Sequence, residues 1–159
     1  MSNIHIREAT PNDCNIIFKF IRELAIYEKA EHEVITDLEH IQNTLFCENP
    51  KAHALICELD GVAVGFAIYF FNYSTWLGKY GIYLEDLYVS NEHRGSGAGK
   101  ALLKRLTQIA VAKDCGRVEW SVLDWNKPAI DFYEALGAKP QDEWIVYRLT
   151  GDALINFAK

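Results

Sequence analysis

The clearest chemical signal in the sequence is a glycine-rich run at residues 94–100, which stands between a strand-like stretch and a helical pattern. Backbone N–H groups at the start of a helix have no partner within the helix and carry the positive end of its dipole. Glycines allow phosphate oxygens to approach these groups closely. Arg94, which opens the run, adds a planar set of donors for phosphate. The segment therefore predicts a binding site for a phosphate-bearing anion.

Three kinds of glycine-rich anion loop can be compared with this run. A P-loop is excluded because Arg94 occupies its first glycine position and Ala101 occupies the position of its metal-binding hydroxyl. A dinucleotide-binding loop is excluded because Lys100 replaces its last glycine and the run lies deep in the chain. The remaining pattern, R-x-x-G-x-G, is similar to the pyrophosphate loop of the Gcn5-related N-acetyltransferase (GNAT) superfamily. A glycine-rich turn that binds nothing is the alternative.

Two carboxylates and a tyrosine are the candidates for proton transfer. Glu85 and Asp86 lie within an otherwise apolar strand, where a carboxylate needs a partner or a raised pKa. Since side chains alternate along a strand, one carboxylate would face a substrate while the other serves the structure. A buried ion pair is the alternative interpretation. Tyr133 lies on the apolar stripe of a short helical pattern, where a tyrosine is ordinarily part of the core.

Alternating strand-like and helical patterns must position these residues. Periodicity predicts strands at residues 3–8, 52–59, 62–71, 82–89, 118–123 and 144–149, and helices from residue 10 onward, at 37–46, 100–113 and 128–136. Asp60 and Gly61, between two apolar runs, predict a hairpin. Thr10 and Asp13 resemble a capping box. With no linker or repeat in view, we expect a single α/β domain over residues 1–159.

Composition narrows the classes of partner. A net charge of -6 argues against nucleic acid and favours cationic ligands. The longest apolar run, at residues 62–71, is about half of the ~20 residues that cross a bilayer, and the start of the chain does not resemble a secretory signal. The four cysteines are far apart, and the histidines have no metal-ligand spacing. We therefore expect a reduced, cytoplasmic protein without a metal or a membrane anchor.

Further motifs extend the resemblance over roughly residues 4–150. They are similar to the diamine acetyltransferase branch, which includes the spermidine/spermine and thialysine enzymes; the matching segments are residues 83–89, 124–126, 132–133 and 135–138. This resemblance implies a mixed, mostly antiparallel sheet flanked by helices, whose two central parallel strands end near Val89 and Leu123 and splay apart. It also implies that acetyl-CoA lies in the gap and that the protein is a homodimer.

The resemblance assigns a set of residues to the cofactor. The backbone of Leu87, Tyr88 and Val89 would hydrogen-bond the pantetheine arm as an added strand. Asn126 would cap the following helix and contact the cofactor, and Tyr133 would lie beside the sulfur. The pyrophosphate would be bound by Arg94, Gly95, Ser96, Gly97, Ala98, Gly99 and Lys100.

The same resemblance gives a mechanism of direct acetyl transfer to a small cationic amine. Glu85 would remove a proton from the amine, directly or through water, and Tyr133 would protonate the departing thiolate. The residues that match the substrate side in the family are Tyr27, Glu28, Trp76, Glu85, Glu119, Trp120 and Ser121. A carboxylate beside an aromatic ring suits an ammonium group.

One departure from the polyamine enzymes bears on specificity. These relatives carry Asp-Pro before the loop tryptophan, where this chain has Ser74 and Thr75 before Trp76. The change removes a carboxylate that would bind a distant amine, so we expect a small primary amine or a lysine-like amino acid to be preferred over long polyamines. A protein or peptide N-acetyltransferase and a non-catalytic acetyl-CoA sensor are the alternatives.

Overall fold

The protein, whose computed structural model describes residues 3–159, contains a five-stranded mixed sheet. The strands are β1 (Ile4–Glu8), β2 (His53–Leu59), β3 (Val62–Ser74), β4 (Lys79–Val89) and β5 (Val118–Trp120). They lie in chain order, and every neighbouring pair is antiparallel except β4 and β5, which are parallel. The predicted mixed, mostly antiparallel sheet is therefore confirmed.

Residues 3–159 also contain five α-helices. They are α1 (Cys14–Tyr27), α2 (Leu38–Leu45), α3 (Ala98–Ala112), α4 (Lys127–Ala135) and α5 (Gly151–Phe157). None of the helices in residues 3–159 is long and apolar enough to cross a membrane. The helices predicted at 37–46, 100–113 and 128–136 are confirmed to within two residues at each end, whereas α5 was not predicted.

Two local features predicted from the sequence are present, the hairpin between β2 and β3 and the capping box before α1. Asp60 and Gly61 have φ values of 51° and 84°, which is the pair of positive angles that a type I′ hairpin requires. The carboxylate of Asp13 accepts a hydrogen bond from the backbone N–H of Thr10 at 2.7 Å, as predicted for the capping box before α1. Arg7 of β1 donates two hydrogen bonds to the same carboxylate, at 2.7 and 2.9 Å, and so joins the sheet to the start of α1.

Both faces of the sheet are covered. Ile17 and Phe20 of α1 are almost completely buried, and Phe20 packs against Phe66 of β3 with ring centroids 5.6 Å apart. Leu102 and Leu106 of α3 are 0% exposed, and this helix contacts the four antiparallel strands. Burying leucine, isoleucine and phenylalanine side chains contributes about 1.5–3 kcal/mol each. The helices thereby hold β4, which carries the candidate residues, in a fixed position.

Two segments differ from the sequence prediction. Strands β3 and β4 extend into the loop expected at residues 72–80, because Tyr73 and Tyr80 pair across them with ring centroids 5.2 Å apart. The strand expected at residues 144–149 is wrong, since the described residues show no strand there. Trp144 and Tyr147 in that segment are 70% and 91% exposed. A run of β-branched and aromatic residues forms a strand only where its backbone pairs with the edge of a sheet, and the run itself does not identify that edge.

The contacts of the chain divide it into two compact units, Met1–Ser121 and Val122–Lys159. The first unit contains the whole sheet with α1, α2 and α3. The second unit contains α4 and α5.

Candidate active site

The glycine-rich run forms the entry to α3. Gly95 and Gly97 have φ values of 82° and 91°, which residues with a Cβ rarely adopt. Gly97 is the N-cap of the helix. A short turn precedes them, closed by a hydrogen bond of 2.8 Å between Ser90 Oγ and His93 Nδ1. The run is therefore a built turn that leaves the first N–H groups of a 15-residue helix at its mouth. We call residues 94–100 the cradle.

Strand β4 leads into the cradle with one edge open. Its parallel pairing with β5 covers three residue pairs and ends at Leu84 and Trp120. Its antiparallel pairing with β3 continues to Val89. Within residues 3–159, the last part of β4 thus has a strand on one side only, and alternate backbone groups of Leu87, Tyr88 and Val89 point away from β3. An extended ligand can pair with this edge.

A β-bulge lies at the point where the pairing with β5 stops. Ile68 of β3 pairs with Asp86 and Tyr69 pairs with Leu84, so Glu85 is the extra residue of β4. Bulges interrupt the regular alternation of side chains and are frequent next to active sites. Glu85 is exposed, and its carboxylate therefore avoids the burial cost that the sequence analysis anticipated.

Asp86, for which a structural role was predicted, lines a cavity of about 320 Å³ between α1, the segment after α1, and β4. Three carboxylates and a largely apolar wall surround the space; the lining residues are Ile21, Leu24, Ala25, Glu28, Ala30, Glu33, Val34, Ile35, Thr36 and Asp86. Burial, reinforced by the negative charges of Glu85 and Glu28, raises the pKa of Asp86 to about 7. Burial also raises the pKa of Glu28. An ammonium group on a short alkyl chain would relieve both effects.

The cradle and the cavity meet at the end of α1. Tyr27 is the last residue of α1. The guanidinium carbon of Arg94 lies 4.4 Å from the centre of the Tyr27 ring. Glu28 follows directly and lines the cavity. Tyr27, which the resemblance assigned to the amine, therefore contacts the arginine that it assigned to the cofactor, and the next residue along the chain lines the cavity.

The other residues expected on the substrate side have different surroundings. Glu119 pairs with Arg117 at 3.1 Å and accepts a hydrogen bond from Asn72 at 3.3 Å. Ser121 Oγ and Tyr83 Oη are hydrogen-bonded at 2.8 Å. Trp76 is 87% exposed in the turn between β3 and β4, and Trp120 is half-buried in β5. The residues that line the Asp86 cavity do not include these four.

Asn126 and Tyr133 belong to the second unit. Asn126 is 8% exposed, and its Oδ1 accepts a hydrogen bond from the Ala129 N–H at 3.4 Å, so the predicted helix cap is confirmed. Tyr133 lies within α4, half-buried, with its ring 5.6 Å from that of Phe132. Its pairing with Glu85 in catalysis stays a prediction.

Comparison with known proteins identifies the family. The model of the acetyltransferase (GNAT) family matches residues 19–138. The chain belongs to this family. It is 40% identical to the thialysine N-epsilon-acetyltransferase of Sus scrofa over 99% of both chains, and 32% identical to an L-ornithine N5-acetyltransferase of Arabidopsis thaliana over 94% of this chain and 85% of the other. These matches confirm the resemblance to the diamine and thialysine branch and identify the protein as an acyltransferase.

Solved structures agree on the fold. An integron cassette protein from Vibrio cholerae superposes with a TM-score of 0.81 at 27% identity over 98% of both chains. An aminoglycoside acetyltransferase from an uncultured soil sample superposes with a TM-score of 0.76 at 23% identity, over 92% of this chain and 97% of the other. Both superpositions agree with the mixed α/β fold described above.

The raised pKa of Asp86 leads to a prediction about stability. Native Asp86 keeps its proton up to a pKa of about 7, whereas an unfolded aspartate loses its proton near ~3.9. The free energy of unfolding should therefore fall as pH rises from about 5 to about 7, by up to about 1.4 kcal/mol per pH unit. Urea denaturation of wild type and Asp86→Asn across this range measures the effect, and the neutral amide should make the fall markedly smaller, since only the part due to Glu28 remains.

Glu33→Gln is the matched control for this experiment, because Glu33 lines the same cavity but its side chain is 75% exposed. This variant should keep the wild-type slope. A wild-type slope in Asp86→Asn would contradict the assignment of the proton to Asp86.

Proposed function

We propose that the protein transfers the acetyl group of acetyl-CoA directly to the primary amine of a small, lysine-like substrate such as thialysine. The observation that carries the proposal is the carboxylate-lined cavity of Asp86 and Glu28, which adjoins the Tyr27–Arg94 contact at the cradle. A cavity with this lining favours an alkylammonium ion by charge and by apolar contact. The 40% identity to a thialysine N-epsilon-acetyltransferase supports the same substrate class.

The cradle and the open edge of β4 fit coenzyme A. Arg94 and the N–H groups at the start of α3 would hold the pyrophosphate, and Gly97 keeps that surface free of a Cβ at a φ that favours glycine. The backbone of Leu87 and Val89 would bind the pantetheine arm. When bound there, acetyl-CoA supplies an activated acyl group and a thiolate leaving group.

Proton transfer explains the need for an acid and a base. An alkylammonium has a pKa near ~10.4, so fewer than about one molecule in a thousand is nucleophilic at neutral pH. Asp86 and Glu28 would hold the ammonium, and Glu85 at the bulge would take one of its protons, directly or through water. The amine nitrogen would then bond to the thioester carbonyl carbon as the carbon–sulfur bond breaks, and Tyr133 would give its proton to the departing sulfur. The second proton lost by the nitrogen would restore the phenol of Tyr133, so that an amide and a free thiol result.

A lysine-like amine suits the site better than a long polyamine. Ser74 is 5% exposed, and its Oγ accepts a hydrogen bond from the Leu77 N–H at 3.2 Å. The residue that stands where polyamine enzymes carry an aspartate is thus a buried hydroxyl that closes a turn. With no carboxylate at this position, a second, distant ammonium would have no partner at Ser74.

Cofactor binding is tested at the glycines. Gly97→Ala and Gly61→Ala each place a Cβ at a φ near +90°, at 91° and 84°, and neither Cβ would approach another atom closer than 3.6 Å. Both should lower the free energy of unfolding by about 1–2 kcal/mol. Only Gly97→Ala alters the cradle, so isothermal titration calorimetry should show coenzyme A binding at least about tenfold weaker in that variant alone. Equal affinity in the two variants would contradict a cofactor site at the cradle.

Catalysis is tested at the acid and the base. Glu85→Gln and Tyr133→Phe should each lower kcat about 10²-fold or more with coenzyme A affinity unchanged, since proton transfer contributes ~10²–10⁴ in rate. Release of free thiol, measured with thialysine, a diamine, spermine and a peptide, gives the rate and the substrate class. The controls are Glu39→Gln on α2 and Tyr80→Phe, in which an exposed residue changes in the same way.

Three outcomes of the thiol-release assay would contradict parts of the proposal. Near-native turnover in both variants removes the mechanism. Preference for the peptide favours a protein N-acetyltransferase, and binding of acetyl-CoA without turnover of any amine favours a sensor.

We also propose that the protein is a homodimer. Trp144, Ile145, Val146 and Tyr147 are 70–91% exposed, and consecutive exposed apolar side chains of this size are rare on monomers. A second copy of the chain is the expected cover. Light scattering coupled to size-exclusion chromatography should give twice the mass of one chain for the wild type. The double variant Ile145→Ser, Tyr147→Ser should have the mass of a single chain. A wild-type monomer at micromolar concentration would refute the dimer.

A further inference from the structure

Arg94 has contacts in three directions. Its guanidinium carbon lies 4.4 Å from the centre of the Tyr27 ring and 5.9 Å from that of Tyr88. Its Nε donates a hydrogen bond to the Val89 carbonyl oxygen at 3.3 Å. The side chain therefore joins the cradle to β4 and to the end of α1.

The planar shape of the guanidinium makes these contacts compatible with anion binding. Its face stacks on an aromatic ring while its edge carries the N–H donors that bind phosphate. A lysine carries the same charge but has no plane to stack. An anion bound at the edge of Arg94 would hold the guanidinium in place, and with it the ring of Tyr27.

The end of α1 transmits the position of Tyr27 to the cavity. Leu24, Ala25 and Glu28, which flank Tyr27 in the chain, all line the cavity. The helix ends in a tight turn, with Lys29 at a φ of 60° and hydrogen bonds from Glu28 N–H to Leu24 at 2.9 Å and from Ala30 N–H to Ala25 at 2.8 Å. This turn holds Tyr27 and the cavity residues as one unit.

A second contact, independent of Arg94, joins α1 to β4. Tyr88 of β4 donates a hydrogen bond from its hydroxyl to Glu23 of α1 at 2.8 Å. Glu23 precedes Tyr27 by one helical turn, so this hydrogen bond ties the face of α1 that carries Tyr27 to β4, the strand that also carries Asp86.

We propose that Arg94 is a positioning residue that couples the two sites: an anion in the cradle strengthens the binding of an ammonium in the cavity through the ring of Tyr27. This inference rests on the proposed function. By thermodynamic linkage, the amine must strengthen coenzyme A binding by the same factor. An exposed cation–ring contact is worth about 0.5–1 kcal/mol, which corresponds to about a two- to fivefold change in affinity.

Calorimetry with thialysine and coenzyme A tests the coupling, because coenzyme A carries no acetyl group and no reaction occurs. The ratio of the thialysine Kd without coenzyme A to the Kd at saturating coenzyme A should be about two to five in wild type. Tyr27→Phe keeps the ring and should keep the ratio, whereas Tyr27→Leu should reduce it to about one. Arg94→Lys keeps the charge for phosphate and should also reduce the ratio to about one.

Arg22→Lys is the matched control, since Arg22 lies 6.0 Å from the Phe18 ring on the same helix but away from the cradle. It should keep the wild-type ratio. A ratio of one in wild type, an unchanged ratio in Arg94→Lys, or loss of the ratio in Tyr27→Phe would overturn the coupling. Should Tyr27→Leu fail to fold, Arg94→Lys decides. Failure of the proposed function looks different: no variant would bind coenzyme A, or no amine would be acetylated.

Discussion

The incomplete pairing of β4 is the constraint on which the rest of the site depends. One side of the strand is satisfied by β3 as far as Val89, while β5 satisfies the other side only as far as Leu84. Backbone groups that lack a partner cost free energy when they are buried, so this edge has to stay open to solvent or to a ligand. The chain places the cradle directly after that edge. A single strand thereby offers a ligand first a row of backbone partners and then the N–H groups of a helix.

The same break in pairing separates the roles of two adjacent carboxylates. With the bulge at the last pair shared with β5, Glu85 is exposed to solvent and Asp86 lines the cavity. Burial and neighbouring negative charges keep Asp86 near half-protonation at neutral pH, with a pKa of about 7. A cation that enters the cavity replaces the proton as the compensating charge, so the free energy of binding an ammonium includes the release of that proton. The cavity therefore selects for positive charge without needing a permanent ion pair to hold it together.

Local signals predicted well, and tertiary ones did not. The hairpin at Asp60 and Gly61, the cap at Asp13 and the glycine turn before α3 each depend on the backbone angles or hydrogen bonds of a few consecutive residues. The bulge at Glu85 depends on the register with β3, and the cavity of Asp86 depends on how α1 and the following segment lie over β4. Neither feature can be predicted from the residues of β4 alone. Strict alternation gave one of the two carboxylates a structural role, and the resemblance chose Glu85 for the substrate, which left that structural role to Asp86. The apolar run at residues 144–149 predicted a strand that has no partner among the described residues.

The division of the chain into two units has a consequence for how binding and chemistry are distributed. The cradle, the open edge of β4 and the cavity all lie in Met1–Ser121, whereas Asn126 and Tyr133 lie in Val122–Lys159. Every group proposed to recognise the amine and nearly every group proposed for the cofactor are thus supplied by one unit, and the proposed acid by the other. Under this proposal, the affinity for the amine and for coenzyme A depends mainly on how α1 and α3 pack against the sheet. The rate of acetyl transfer depends in addition on the second unit. Under the proposed mechanism, a change confined to α4 therefore lowers turnover while amine recognition, which depends on residues of Met1–Ser121, stays intact.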